Sequence, residues 1–100
     1  MELFSSAESK DLKSLMKVVL ISINTINKIL DAGAQLELHK LREFAEDAFT
    51  EPSHEKLSLV HQKLMKVQVE VPQLSLVPKI GFLNDNLINA YVLLSQYLEQ

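Results

Sequence analysis

Three histidines, His39, His54 and His61, are the side chains best suited to acid–base or ligand chemistry in this chain of 100 residues. An imidazole changes charge near neutrality and binds metals through either nitrogen, but a metal centre needs several such donors converging. His39 has Glu43 four residues on and His61 has Met65. Neither pair suffices for zinc or iron, so no metal site is expected. Ser53-His54-Glu55 places three triad residue types side by side. Members of a triad meet through the fold rather than as sequence neighbours, so this run is not read as catalytic.

Other chemistry is thinner still. Asn84-Asp85-Asn86 lacks the glycine and distal glutamate of a calcium loop and reads as capping chemistry. Gly33 and Gly81 are the only glycines, too few for a phosphate-cradling loop. Cysteine is absent, which removes disulfides, thiolate zinc sites and thiol nucleophiles. Glu37, Glu43, Glu46, Asp47 and Glu51 crowd one segment and read as a solvated acidic face, with a basic partner as the sharper alternative.

Around His39 the order of residues carries one further possibility. In Leu38-His39-Lys40-Leu41-Arg42-Glu43-Phe44-Ala45 an apolar residue follows the histidine by two places and a basic one by three. This stretch resembles the H box of histidine phosphotransfer domains, which are helical bundles of about this length. The resemblance covers some eight residues through His39, Leu41, Arg42 and Ala45, and implies His39 as the phosphorylated residue. Glu43 departs from it, standing where that family commonly has glycine and setting an anion one turn from the imidazole.

The elements that position these residues are helices. Leu12, Met16, Val19, Ile23, Ile26 and Leu30 recur at steps of four and three, as do Leu57, Val60, Leu64 and Val67. Such steps set every member on one helix face. Ser5 with Glu8 forms a capping box that starts the first helix, and Gly33 marks its end. A second helix spans about 34–50 and stops before Pro52, and Ser53 caps a third that frays near Glu70. Val67-Gln68-Val69-Glu70-Val71 and Leu74-Ser75-Leu76 alternate with period two. The favoured reading keeps the helix to its fraying near Glu70 and follows it with an extended connector pinned by Pro72 and Pro78, with a short strand or hairpin as the competing reading. A last helix begins near 82–85, capped by Asn84 or Asp85, and runs to about 98 along Leu83, Leu87, Tyr91, Leu94 and Leu98. Residues 1–5 are expected to be a loose end, with Leu3 and Phe4 able to pack as a lid.

The net charge is −3 and no basic patch stands out, so nucleic acid is not expected as a partner. The greasy run Val18-Val19-Leu20-Ile21-Ser22-Ile23 is bracketed by Lys13, Lys17 and Lys28 and falls well short of the ~20 apolar residues of a membrane span. No targeting leader is recognised, and a cytoplasmic location is expected.

These observations predict an all-α fold. Residues 1–100 form one domain, a small four-helix, mostly antiparallel bundle with the extended connector before its last helix. The expected function is non-catalytic: a protein–protein interaction module of adaptor, chaperone or inhibitor type, working through an apolar helix face. Bacterial immunity proteins and phage-encoded inhibitors are also small acidic helical bundles, an analogy of class alone. Phosphotransfer through His39 and a structural, homo-oligomeric subunit stand as alternatives. Between Gly81 and Leu98 only Asp85 is charged, so Leu87, Tyr91, Leu94, Tyr97 and Leu98 are expected to meet a partner protein or a second copy. Glu43 and Glu46 are expected to serve a basic partner. No cofactor, metal, nucleic acid or membrane enters this reading.

Overall fold

In a computed structural model of the chain, residues 5–30 and 36–99 are described, apart from the side chain of Ser6. They form α1 (Ser6–Ile29), α2 (Leu36–Thr50), α3 (His54–Glu70), a single turn α4 (Gln73–Leu76), a 3-10 turn Pro78–Ile80, and α5 (Gly81–Leu98). No strand occurs among the described residues. The expected lid of Leu3 and Phe4 lies outside them, as does Gly33, but α1 ends before the expected stop at Gly33: its last residue is Ile29, and Leu30 is already extended at φ −84° and ψ 133°.

Local chemistry starts the helices where the side chains dictate. Ser5 Oγ accepts from the Glu8 N–H at 3.1 Å while Glu8 Oε1 accepts from the Ser5 N–H at 3.0 Å. Two N–H groups that the helix itself cannot satisfy are thereby paired. Ser53 Oγ accepts from the Lys56 N–H at 3.2 Å and does the same for α3.

Between α3 and α5 the chain departs from the extended connector read in the sequence. α3 ends at Glu70, where the sequence has it fray, and the Val71 N–H closes its last turn on the Val67 carbonyl at 3.0 Å; the departure begins beyond it. Pro72 then has φ −62° and ψ −22° and opens α4, and Pro78 opens the 3-10 turn. The proline ring fixes φ near the helical value and lacks only an N–H that a first turn would leave unused. Each proline therefore starts a helical turn here. The chain leaves the helical region at Val71 (φ −123°, ψ 79°) and is extended at Val77 (φ −100°, ψ 108°), the residues directly before the prolines, where ring sterics disfavour the helical region. Val71, Leu74 and Ile80 are buried, so the turns are docked as well as formed.

The expected caps Asn84 and Asp85 are not caps. The 3-10 turn feeds directly into α5 at Gly81, with no side chain capping its start. Asn84 is buried and points to α3.

α1 packs on α2, α2 on α3, α3 on α5, and α5 returns to α1, with α4 and the 3-10 turn against α5. The result measures 40 × 20 × 19 Å. Both sequence seams face inward with essentially no exposure from Leu12 to Ile26 and from Leu57 to Val67, meeting Leu38, Leu41, Ala45 and Ala48 of α2 and Leu83, Leu87, Ala90 and Leu94 of α5.

Gly81 sits at φ −55°, an ordinary helical value, and an added Cβ there meets nothing within 4 Å. Gly81→Ala should therefore stabilise the fold by about 0.4–1 kcal/mol, by removing freedom from the unfolded chain. Urea denaturation of the two proteins measures it.

Candidate functional site

α5 carries the residues that matter most, because it lies between α1 and α3 and few of its side chains are charged. Its polar groups divide between the two neighbours. Asn84 Oδ1 accepts from Gln68 Nε2 of α3 at 2.6 Å, and Asn86 Nδ2 donates to Ser22 Oγ of α1 at 3.3 Å. Residues two apart on a helix point in nearly opposite directions, so this pair reaches to both sides.

Further along the α3–α5 seam, His61 stacks on Tyr91 with ring centroids 4.1 Å apart and planes within 10°. His61 Nε2 lies 2.6 Å from Ser95 Oγ, a serine–histidine pair that invites comparison with a nucleophile and its base. The hydroxyl proton decides the matter. Ser95 Oγ also reaches the Tyr91 carbonyl at 3.0 Å, and when its proton goes there it accepts from His61 and is not deprotonated by it. The cluster clamps α3 to α5. Separated by 34 positions, these two residues carry no local signal of their meeting.

His39 is half exposed on α2. Its Nδ1 lies 3.0 Å from Arg42 Nη2, and its Nε2 lies 3.6 Å from Glu43 Oε2. Arginine can only donate, so Nδ1 accepts and the ring proton sits on Nε2, facing Glu43. A phosphoryl acceptor needs a free ring nitrogen with room for an anion. Here one lone pair is engaged and the other nitrogen faces a carboxylate.

Of the residues expected to meet a partner, Leu87 and Leu94 belong inside. Both have no exposed surface and are part of the chain's own core, so they leave the candidate interface. The stripe expected to face a partner is the one that α5 buries in its own bundle, with Leu83, Leu87 and Leu94 joined there by Ala90 while Tyr91 turns towards α3. Tyr91, Tyr97 and Leu98 pack half-buried against this core. Glu43 and Glu46 are exposed on α2, as expected of an acidic face.

Glu37, counted with that acidic face, has another role. Lys63 Nζ of α3 donates to Glu37 Oε1 at 2.6 Å, each side chain is only 14% exposed, and Lys40 lies 3.8 Å from the other carboxylate oxygen. The hydrogen bond from Lys63 is the main cause holding the Glu37 carboxyl below its ordinary value of 4.5, with the charges of Lys63, Lys40 and Lys66 adding to it against a smaller desolvation effect.

The open surface lies on the other side of α5. A groove of about 260 Å³ runs between α1 and α5, lined by Asp11, Ser14, Leu15, Val18, Leu93 and Tyr97. Val18 (43%), Ile21 (54%) and Leu93 (43%) remain exposed at or beside it. A second groove between α2 and α3 is lined by Phe44, Leu59, Gln62, Lys63 and Lys66 and is more polar. Among the described residues no three His, Asp or Glu side chains converge as metal ligands, and no helix is long and apolar enough to cross a membrane.

The chain matches no protein-family model, no curated protein and no solved structure. Any functional reading therefore rests on its own surfaces.

Leu94→Ala should cost about 2–5 kcal/mol in urea denaturation, the range for truncating a buried leucine. The Glu37 pairing predicts a pH dependence of defined sign. With the folded-state carboxyl depressed, its stabilisation is complete above pH 4.5 and is lost as pH falls through the lower folded value. Glu37→Gln should lower the melting temperature at pH 7, and the gap to the unmutated chain should shrink on acidification below that point.

Proposed function

We propose that this chain acts by binding another polypeptide rather than by catalysis, as a four-helix antiparallel bundle that presents its α1/α5 face. The antiparallel arrangement draws support from its cross-helix pairs. Along α3 and α5, His61 pairs with Ser95 and Gln68 with Asn84, and along α1 and α5 Ser22 pairs with Asn86 while Val18 shares a groove with Leu93, so on both seams rising numbers meet falling ones. The adaptor, chaperone and inhibitor classes all work through such a surface, and the lack of cysteine suits a reducing compartment such as the cytoplasm.

One observation carries the reading. The core positions of α1 and α5 are already filled from within the chain, yet Val18, Ile21 and Leu93 stay about half exposed around one groove. Ile29 follows Val18 by eleven residues and Phe82 precedes Leu93 by eleven, which is about three helical turns, and both are exposed at one end of the same seam. Apolar residues scattered singly over a surface need no partner, whereas residues aligned along a groove form a receptive surface.

Selection of peptides from a random display library against the folded protein tests this. Amphipathic helical sequences should emerge, and Val18→Asp with Leu93→Asp should weaken their binding at least ~10-fold while the circular-dichroism melt stays unchanged. Peptides that ignore both substitutions would place the binding surface elsewhere and end the proposal.

A further inference from the structure

We infer that the occupant of the α1/α5 face is a second copy of this chain, related by a two-fold axis that runs along the bundle between the two helices. The inference rests on the reading of that face as a binding surface and goes on to name its partner. Three observations lead to it.

The first is size. α1 has 24 residues and α5 has 18, lengths of about 36 and 27 Å. Two such helices side by side at ~8–10 Å spacing offer a face of roughly 30 × 20 Å. Relief from side chains brings its accessible area near the ~800 Å² that each partner of a standard complex buries.

The second is apolar register. A two-fold axis parallel to the helices carries α1 of one copy over α5 of the other at the same height along the bundle. Val18 and Leu93 line one groove within a chain, so across the axis Val18 meets Leu93 of the second copy, and the reverse contact repeats it. Ile29 lies eleven residues beyond Val18 and Phe82 eleven before Leu93, so the two meet in the same way at one end. The contact is self-complementary.

The third is charge at the rim. Lys10, Lys17 and Lys28 recur at steps of seven and eleven along one edge of α1. Asp85 near the start of α5 and Glu99 just past its end occupy the two ends of that helix. None of these five makes an ion pair with any other described residue. The same axis brings Lys28 of one copy towards Asp85 of the other. It also brings Lys10 towards Glu99 and the α5 C-terminus, whose unpaired carbonyls favour a cation. The acidic α2 face, with Glu43, Glu46 and Asp47, would instead set like charges against each other if two copies met there.

Sedimentation equilibrium of the full chain over a wide concentration series tests the pairing. A dimer mass is expected, with Val18→Asp and Leu93→Asp each weakening association at least ~10-fold. Lys28→Asp and Asp85→Lys should each weaken it about two- to five-fold, and the double swap should restore it. Circular dichroism at concentrations below dissociation should show all variants folded. A chain that stays monomeric yet binds selected peptides at Val18 and Leu93 overturns self-pairing and leaves the binding-face reading standing. A monomer that binds no peptide there overturns both. A dimer indifferent to Val18→Asp and Leu93→Asp overturns the α1/α5 contact, and a charge swap that restores nothing overturns the axis.

Discussion

Removal of one apolar stripe per helix from water governs this molecule. Each of the four long helices is hydrophobic along a single face, and a helix of that kind is stable in a protein only when another element covers the face. α1, α2, α3 and α5 cover one another in a closed ring, with Leu12 to Ile26, Leu38 to Ala48, Leu57 to Val67 and Leu83 to Leu94 meeting at its centre. Ala45, Ala48 and Ala90 let backbones approach where larger residues such as Leu64 and Met16 fill the space. Position along the chain then decides which side chains remain for other purposes.

Polar groups at the seams add specificity to that burial. Leucine faces slide past one another at little cost, but the Gln68–Asn84, His61–Ser95 and Glu37–Lys63 pairs fit one register only. Displacing α5 by one turn, about 5.4 Å, would strand the buried Asn84 amide without a partner. The His61–Ser95 contact, whatever else its groups can do, joins α3 to α5. Ser95 also reaches the Tyr91 carbonyl, and the His39 nitrogens are occupied by Arg42 and Glu43.

Much of the fold was legible in the sequence because its causes are local. The Ser5–Glu8 box, the Ser53 cap and the four–three spacing of both long seams act within a few residues, and each stands where spacing put it. Two misreadings have identifiable physical origins. Pro72 and Pro78 end helices when read from the preceding side and begin them when read from the following side, and here both sides apply. In α5, apolar residues occur nearly all round, so local spacing does not say which stripe faces the chain's own core and which is left over, and Ala90 rather than Tyr91 completes the buried one. Leu87 and Leu94 belong to the core for that reason, while Leu93 borders the open groove. The His61–Ser95 contact depends on how two helices are placed, which no local pattern encodes.

Three of the four edges of the ring join helices that follow one another in the chain, and only the α1–α5 edge joins its two ends. Neighbours in sequence find each other with short loops to close, whereas this last edge must gather nearly the whole polypeptide. Its closure therefore carries the largest loop-closure entropy of the four edges. Amide hydrogens along that edge should exchange with solvent ahead of those between α2 and α3. The groove lies where the ring shuts, so whatever sits across it also acts as a latch.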